Sequence, residues 1–114
     1  VNCFSKTRRL LKKSDYDHVF EQAKKTVTPE FIILHRANTL GHARLGLALS
    51  KKAIPKAHDR NRIKRLLREN FRTTRLPAID MIFLAKRGVA EVENKTIIAR
   101  LDKTWDKLTV LYAI

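Results

Sequence analysis

The sequence predicts an α+β fold, a two-layer α/β sandwich in one domain over residues 1–114. The elements run α-β-β-α-β-α, with room for one extra short strand. Three observations predict it. Three stretches repeat apolar residues at the spacing of one helix face. Three others are short alternating or continuous apolar runs, the pattern of strands. Finally, 44% of the 114 residues are hydrophobic, enough to build a core without staples. Cys3 is the only cysteine, which rules out an internal disulfide and a cysteine metal cluster.

Ser14 opens the first helix, with Asp17 three residues on in a near capping box. Tyr16, Val19, Phe20 and Ala23 follow at i, i+3, i+4 and i+7 on one face, and Thr26, Thr28 and Pro29 end it. Residues 31–37 are a short apolar run, read as a strand. Residues 38–42, Asn-Thr-Leu-Gly-His, read as a hairpin loop. Residues 43–50 alternate, with Leu45, Leu47 and Leu49 on one face. The other face, with Gly46 and Ala48, is small enough to be approached closely. Pro55 precedes a second helix over about 57–74, and Pro77 follows it. Residues 78–86 form a third strand, ended by Arg87-Gly88. Asn94 or a neighbour caps a last helix with Ile97, Ile98, Leu101, Trp105, Leu108 and Tyr112 along one stripe.

Charge is segregated along this frame. The formal net charge is +14. Residues 1–13, a basic N-terminal segment, hold five basic and no acidic groups, and residues 51–75 hold ten basic and two acidic. The segments between and after are close to neutral. Charge carried only for solubility would be spread. Around the second helix, Ile63, Leu66, Leu67 and Phe71 fall on one side. Lys64, Arg65, Arg68 and Arg72, with Asn61, fall on nearly the opposite side. Arg60/Lys64, Lys64/Arg68 and Arg68/Arg72 are like-charged i, i+4 pairs, each costing a few tenths of a kcal/mol in an isolated helix. A helix selected for stability alone mixes signs. One that holds positive charge together suits a polyanion, and nucleic acid is the foremost candidate. Arginine supplies forked donors for phosphate oxygens.

The run Leu45-Gly46-Leu47-Ala48-Leu49-Ser50-Lys51-Lys52, followed by Ala57 and by Arg60-Asn61-Arg62-Ile63-Lys64-Arg65-Leu66-Leu67-Arg68-Glu69, closely resembles the protein subunit of bacterial ribonuclease P. Phe4-Ser5-Lys6 with Arg9-Leu10, Asp15-Tyr16 with Val19-Phe20, and Ala85-Lys86-Arg87-Gly88 extend the resemblance over nearly the whole chain. Leu34 stands near a position where some relatives carry a tyrosine. The resemblance implies a fold like domain 2 of ribosomal protein S5, with a left-handed βαβ crossover against the usual rule. It also implies that Lys51, Lys52, Arg60, Asn61, Arg62, Lys64, Arg65 and Arg68 bind the catalytic RNA, with Arg8 and Arg9 as auxiliary basic groups. A cleft between the first helix and the sheet would hold the single-stranded 5′ leader of precursor tRNA. That cleft would use Tyr16 ahead of Phe20, together with Phe31, since aromatic faces stack on any base. From spacing alone, Tyr16 and Phe20 read as core.

No protein-borne active site emerges from the residues. His18, His35, His42 and His58 lack metal-ligand spacing, and the three glycines form no phosphate loop. The resemblance implies that RNA carries the chemistry, with Mg²⁺ held mainly by the partner RNA. The expected role is an RNA-binding subunit assisting 5′ maturation of tRNA, with catalytic RNA and precursor tRNA as partners and no protein partner implied. A ribosomal or other structural RNA-binding protein is the alternative. A DNA-reading helix is disfavoured because a strand and Pro55 precede it. No apolar run approaches the ~18 residues of a membrane span, and the N-terminus does not read as a secretory signal. Together with the lone cysteine, this makes the cytoplasm the expected compartment.

Overall fold

The computed structural model describes residues 9, 10 and 12–113. The elements are α1 (Lys13–Glu21), β1 (Lys24–Val27), β2 (Phe31–Ala37), β3 (Arg44–Ala48), α2 (Ala57–Arg72), β4 (Ile79–Ala85), a 3₁₀ turn (Val89–Glu91) and α3 (Asn94–Leu111). The extra short strand is β1. Thr26 and Val27 are β-branched and suit a strand. Thr28 closes a tight turn, its amide donating to the Phe31 carbonyl at 2.8 Å, with Pro29 at the turn's second position. The first helix therefore ends at Glu21, earlier than its apolar spacing suggests. It also begins earlier: Lys12 is its N-cap, and Asp15 rather than Asp17 accepts from the Lys12 amide at 3.3 Å.

Sheet order is β1-β2-β4-β3, antiparallel except for the parallel pair β3 and β4. Residues 38–42 therefore do not close a hairpin, because β4 lies between β2 and β3. The cause is in β4 itself. Ile79, Asp80, Met81, Ile82 and Phe83 are all buried, so this strand needs neighbours on both edges and cover on both faces. β3, α2 and β4 form the βαβ unit.

The two faces carry different cores. On one, Phe31, Ile33, Leu45, Met81 and Phe83 meet Ile63, Leu67 and Phe71 of α2 and Ile97, Leu101, Trp105 and Leu108 of α3. The Phe83 ring lies 5.5 Å from Phe31 and 5.6 Å from Trp105. This face is the two-layer sandwich. On the other face, among the described residues, α1 and Leu10 cover part of the sheet through a small cluster of Leu10, Val19 and Ile82.

Val19 is the only α1 side chain fully buried, worth roughly 2 kcal/mol. That is little against the ordering of nine residues, at about 1–2 kcal/mol each. Polar links make up the hold. Arg44 donates to both Asp80 oxygens, at 2.8 and 2.7 Å, and lies 3.5 Å from Asp15 of α1. Arg36 donates to the His18 carbonyl at 2.7 Å, and Asn38 donates to Asp80 at 2.8 Å. Burial opposes ionisation of Asp80, but the hydrogen bonds from Arg44 and Asn38 and the Arg44 charge outweigh it. They hold the carboxyl below its usual range.

Candidate nucleic-acid interface

Ile63, Leu67 and Phe71, four residues apart, are fully buried, and Leu66 packs against the same core. Their burial fixes the rotation of α2 about its axis. Asn61, Arg65 and Arg68 are consequently exposed, and Lys64 is half-buried. Asn61, Arg62, Lys64, Arg65 and Arg68 line one concavity of about 630 Å³, together with His58, Leu66 and Asn94. Among the described residues no carboxylate forms an ion pair with Lys64, Arg65 or Arg68.

Arg60 and Arg62 are more committed than their neighbours. Arg60 donates to the carbonyls of Ile54 and Pro55 at 2.7 and 3.0 Å. Arg62 donates to the Ala90 carbonyl at 2.7 Å and to the Asn94 side chain. Each guanidinium ties α2 to a neighbouring loop, so replacing all four cations from Arg60 to Arg65 would disturb the fold. Of Asn94 and its neighbours, expected to cap α3, Glu93 is the N-cap, while the Asn94 side chain accepts from Arg62.

Lys51 and Lys52 are exposed on the turn after β3. Ser50 builds that turn, its carbonyl accepting from Ile54 at 3.0 Å and its hydroxyl from Ala53 at 3.2 Å. Buried Ala53 and Ile54 anchor it. Lys52 lines a separate concavity with Lys56 and Arg87 rather than the α2 concavity. Arg9 is half-buried, in a parallel bridge with Leu45 beside β3. Arg8, Cys3 and residues 4–6 lie outside the described residues.

The second surface is the open part of the α1 face. Strand register lays three rows across it. Arg36, Asp80 and Arg44 form the first; Lys25, Leu34, Ile82 and Gly46 the second; Val27, Ile32, Leu84 and Ala48 the third. Asp15 and His18 of α1 reach the first row, and Val19 sits on Ile82 in the second. On a helix, Tyr16 and Phe20 then project from the flank toward the third row. That row is only partly covered, and Val27 is 52% exposed. The partly open apolar strip between the Tyr16–Phe20 flank and the third row is read as a shallow groove.

One expectation for this groove, Phe31, is corrected. Phe31 is 2% exposed and lies in the opposite core, because neighbouring strand residues point to opposite faces. Ile32 takes its place in the groove. Tyr16 is half-buried, and a Cβ on Gly46 would meet its ring at 2.9 Å. Phe20, at 49% exposure, is the more available aromatic.

Residues 4–109 match the sequence model of the Ribonuclease P family. The chain belongs to the ribonuclease P protein family. It is 64% identical over 109 residues to a ribonuclease P protein component of Legionella pneumophila, covering 96% of each chain. It is 48% identical over 106 residues to that of Pasteurella multocida, covering 91% of this chain and 89% of the relative. The solved Staphylococcus aureus RNase P protein superposes with a TM-score of 0.81 at 27% identity, over 90% of this chain and 97% of that one. The Thermotoga maritima RNase P protein gives 0.77 at 26% identity, over 87% and 96%.

The chain therefore has a role in ribonuclease P, an endoribonuclease and ribonucleoprotein of tRNA processing, with RNA as its partner. A purely ribosomal or structural role is not favoured. The α2 surface follows from helical periodicity, which is local. The groove residues Val27, Ile32 and Leu84 escape sequence reasoning because their alignment depends on strand pairing. Among the described residues no helix is long and apolar enough to cross a membrane.

Proposed function

We propose that the outer face of α2, with the Lys51–Lys52 turn beside it, binds the phosphate backbone of the catalytic RNA of ribonuclease P. In this reading that RNA carries out the cleavage. The observation that supports it most is the gathering of Asn61, Arg62, Lys64, Arg65 and Arg68 around one concavity, with no partner carboxylate on its three foremost cations among the described residues. Phosphates relieve the mutual repulsion of these groups and release counterions on binding.

The groove beside α1 is read as the seat of the single-stranded 5′ leader of precursor tRNA. Phe20 offers a stacking face, and Val27, Ile32 and Leu84 offer apolar contact. Mature tRNA has no leader, so this contact favours substrate over product. Mg²⁺ commonly binds through phosphates and water with one or two carboxylates, and in this reading it is held mainly by the partner RNA. Among the described residues no three acidic, histidine or cysteine side chains gather, and Asp80 is engaged by Arg44. The cytoplasm, where tRNA precursors are made in bacteria, is the proposed compartment.

Titration of bacterial ribonuclease P RNA at several salt concentrations tests the α2 assignment. Each phosphate contact contributes about 0.9 to the slope of log K against log salt. Replacing Lys64, Arg65 and Arg68 together with Gln should lower the slope by about 2 to 3 and leave thermal unfolding unchanged. An unaltered slope refutes the assignment.

A further inference from the structure

Along the sequence α3 is nearly neutral, yet the fold sorts its charges. All four of its basic residues, Lys95, Arg100, Lys103 and Lys107, line a second groove of about 630 Å³ between α3 and β1. Neither of its acids, Asp102 and Asp106, lines that groove, and neither pairs with the lysines. Helical geometry accounts for this. With buried Leu101, Trp105 and Leu108 facing the sheet, Lys103 and Lys107 turn toward β1 while Asp102 and Asp106 turn to the opposite flank.

The facing wall is Thr26, Val27, Thr28 and Pro29. It has no acidic side chain, which disfavours a cationic or zwitterionic occupant. Arg100 is held by buried Glu30 at 3.2 Å, and Lys95 lies 4.0 Å from exposed Glu93. Lys103 and Lys107 have no carboxylate partner among the described residues. They are a like-charged i, i+4 pair, which costs stability in an isolated helix. Asn94, which lines the α2 concavity, is followed in the chain by Lys95, which lines this groove. Both concavities lie on the α2/α3 side of the sheet, and the α3–β1 groove meets the leader groove only at the β1 edge, where Val27 borders both.

We propose that the α3–β1 groove is a second phosphate-backbone site, in which the RNA bound by α2 continues past the start of α3 along Lys95, Lys103 and Lys107. This rests on the reading of α2 as the binding face for ribonuclease P RNA. A polyanion that passes the start of α3 explains both the sorting of charge and the succession of two basic concavities at Asn94 and Lys95. An acidic protein segment would explain the charge alone.

The test compares three full-length variants with the parent in titrations against bacterial ribonuclease P RNA, without tRNA, over a range of salt. The first carries Lys95→Gln, Lys103→Gln and Lys107→Gln. The second carries Ala99→Lys, which adds a cation at an exposed position lining the groove. The third is the α2 variant Lys64→Gln, Arg65→Gln and Arg68→Gln. The first should lower the salt slope by about 2 to 3 and the second should raise it by about 1. A lowered slope in the α2 variant, with neither groove variant moving it, overturns the groove and leaves the α2 reading intact. Weaker binding at unchanged slope also overturns it, since no phosphate contact would have been lost. Unchanged slopes in all three remove both assignments. If the first variant melts early, Ala99→Lys still decides, because an added lysine on an exposed helix position costs little.

Discussion

Two residues that touch no RNA in this reading decide whether the leader groove exists. A Cβ on Gly46 would come within 2.9 Å of both the Leu10 side chain and the Tyr16 ring, closer than carbon atoms pack. Gly46→Ala should therefore push Tyr16 and α1 off the sheet, lowering stability by about 1–3 kcal/mol in a denaturant titration. It should also weaken discrimination between precursor and mature tRNA. Asp80 acts from the other flank of α1. Its carboxyl is held below its ordinary value in the fold, so the folded chain binds fewer protons than the unfolded one. The resulting stability is fully present above the unfolded value of about 4 and is lost as pH falls through the lower folded value. Asp80→Asn should lose about 3 kcal/mol at neutral pH, the low end for breaking a buried pair, because Arg44 keeps some access to water. Melting curves between pH 7 and 3 should show a smaller acid-induced decline in the variant than in the parent. An equal decline in both would remove Asp80 from this role.

α2 divides its cations between two tasks. Lys64, Arg65 and Arg68 project outward, whereas Arg62 satisfies the Ala90 carbonyl and the Asn94 side chain at the start of α3. Arg62→Ala should cost about 1–3 kcal/mol of stability by leaving those acceptors unmet. Arg62→Lys should recover only part, because an ammonium lacks the fork that reaches both. Thermal unfolding distinguishes this from the Lys64–Arg68 group, whose loss should leave the melting temperature alone. Repeating periodicity made the α2 faces readable from sequence, since Ile63, Leu67 and Phe71 share a side whatever the rest of the chain does. The bounds of β2, 31–37, were readable from a short apolar run, which is also a local signal. The tether role of Arg62 was not, because its partners lie 28 to 32 residues away in sequence. Nor was the order of the sheet. The 38–42 loop carries hairpin residues, and only the two-sided burial of β4 places that strand between β2 and β3. Phe31 was misassigned by one step of strand parity, which pairing alone resolves.

Taken together, the chain uses its four-stranded sheet as a partition. The basic surfaces of α2 and α3 lie on one side, and the groove beside α1 on the other. The partition is rigid where it matters, since β4 is buried on both faces and carries Asp80 and Ile82 toward α1 and Met81 and Phe83 toward α2 and α3. Two partners, a folded RNA and an extended strand, can then be held at once on opposite faces, sharing only Val27 at the β1 edge. Sites separated by a packed sheet share no direct contacts, so their energetic effects should add to within about 0.5 kcal/mol. Combining Phe20→Ala with the Lys64, Arg65 and Arg68 replacements tests this. Phe20→Ala alone should lower affinity of the assembled ribonucleoprotein for precursor tRNA by about 1–3 kcal/mol, the value of one stacked base. It should leave mature tRNA and the catalytic RNA unaffected. The α2 replacements should weaken assembly with the RNA and, once enough protein is added to restore assembly, leave precursor preference intact. The combined variant should show both losses in full. A coupling much above 0.5 kcal/mol in that cycle would mean that the two faces communicate through the sheet, and the partition would not be the insulating layer its packing indicates.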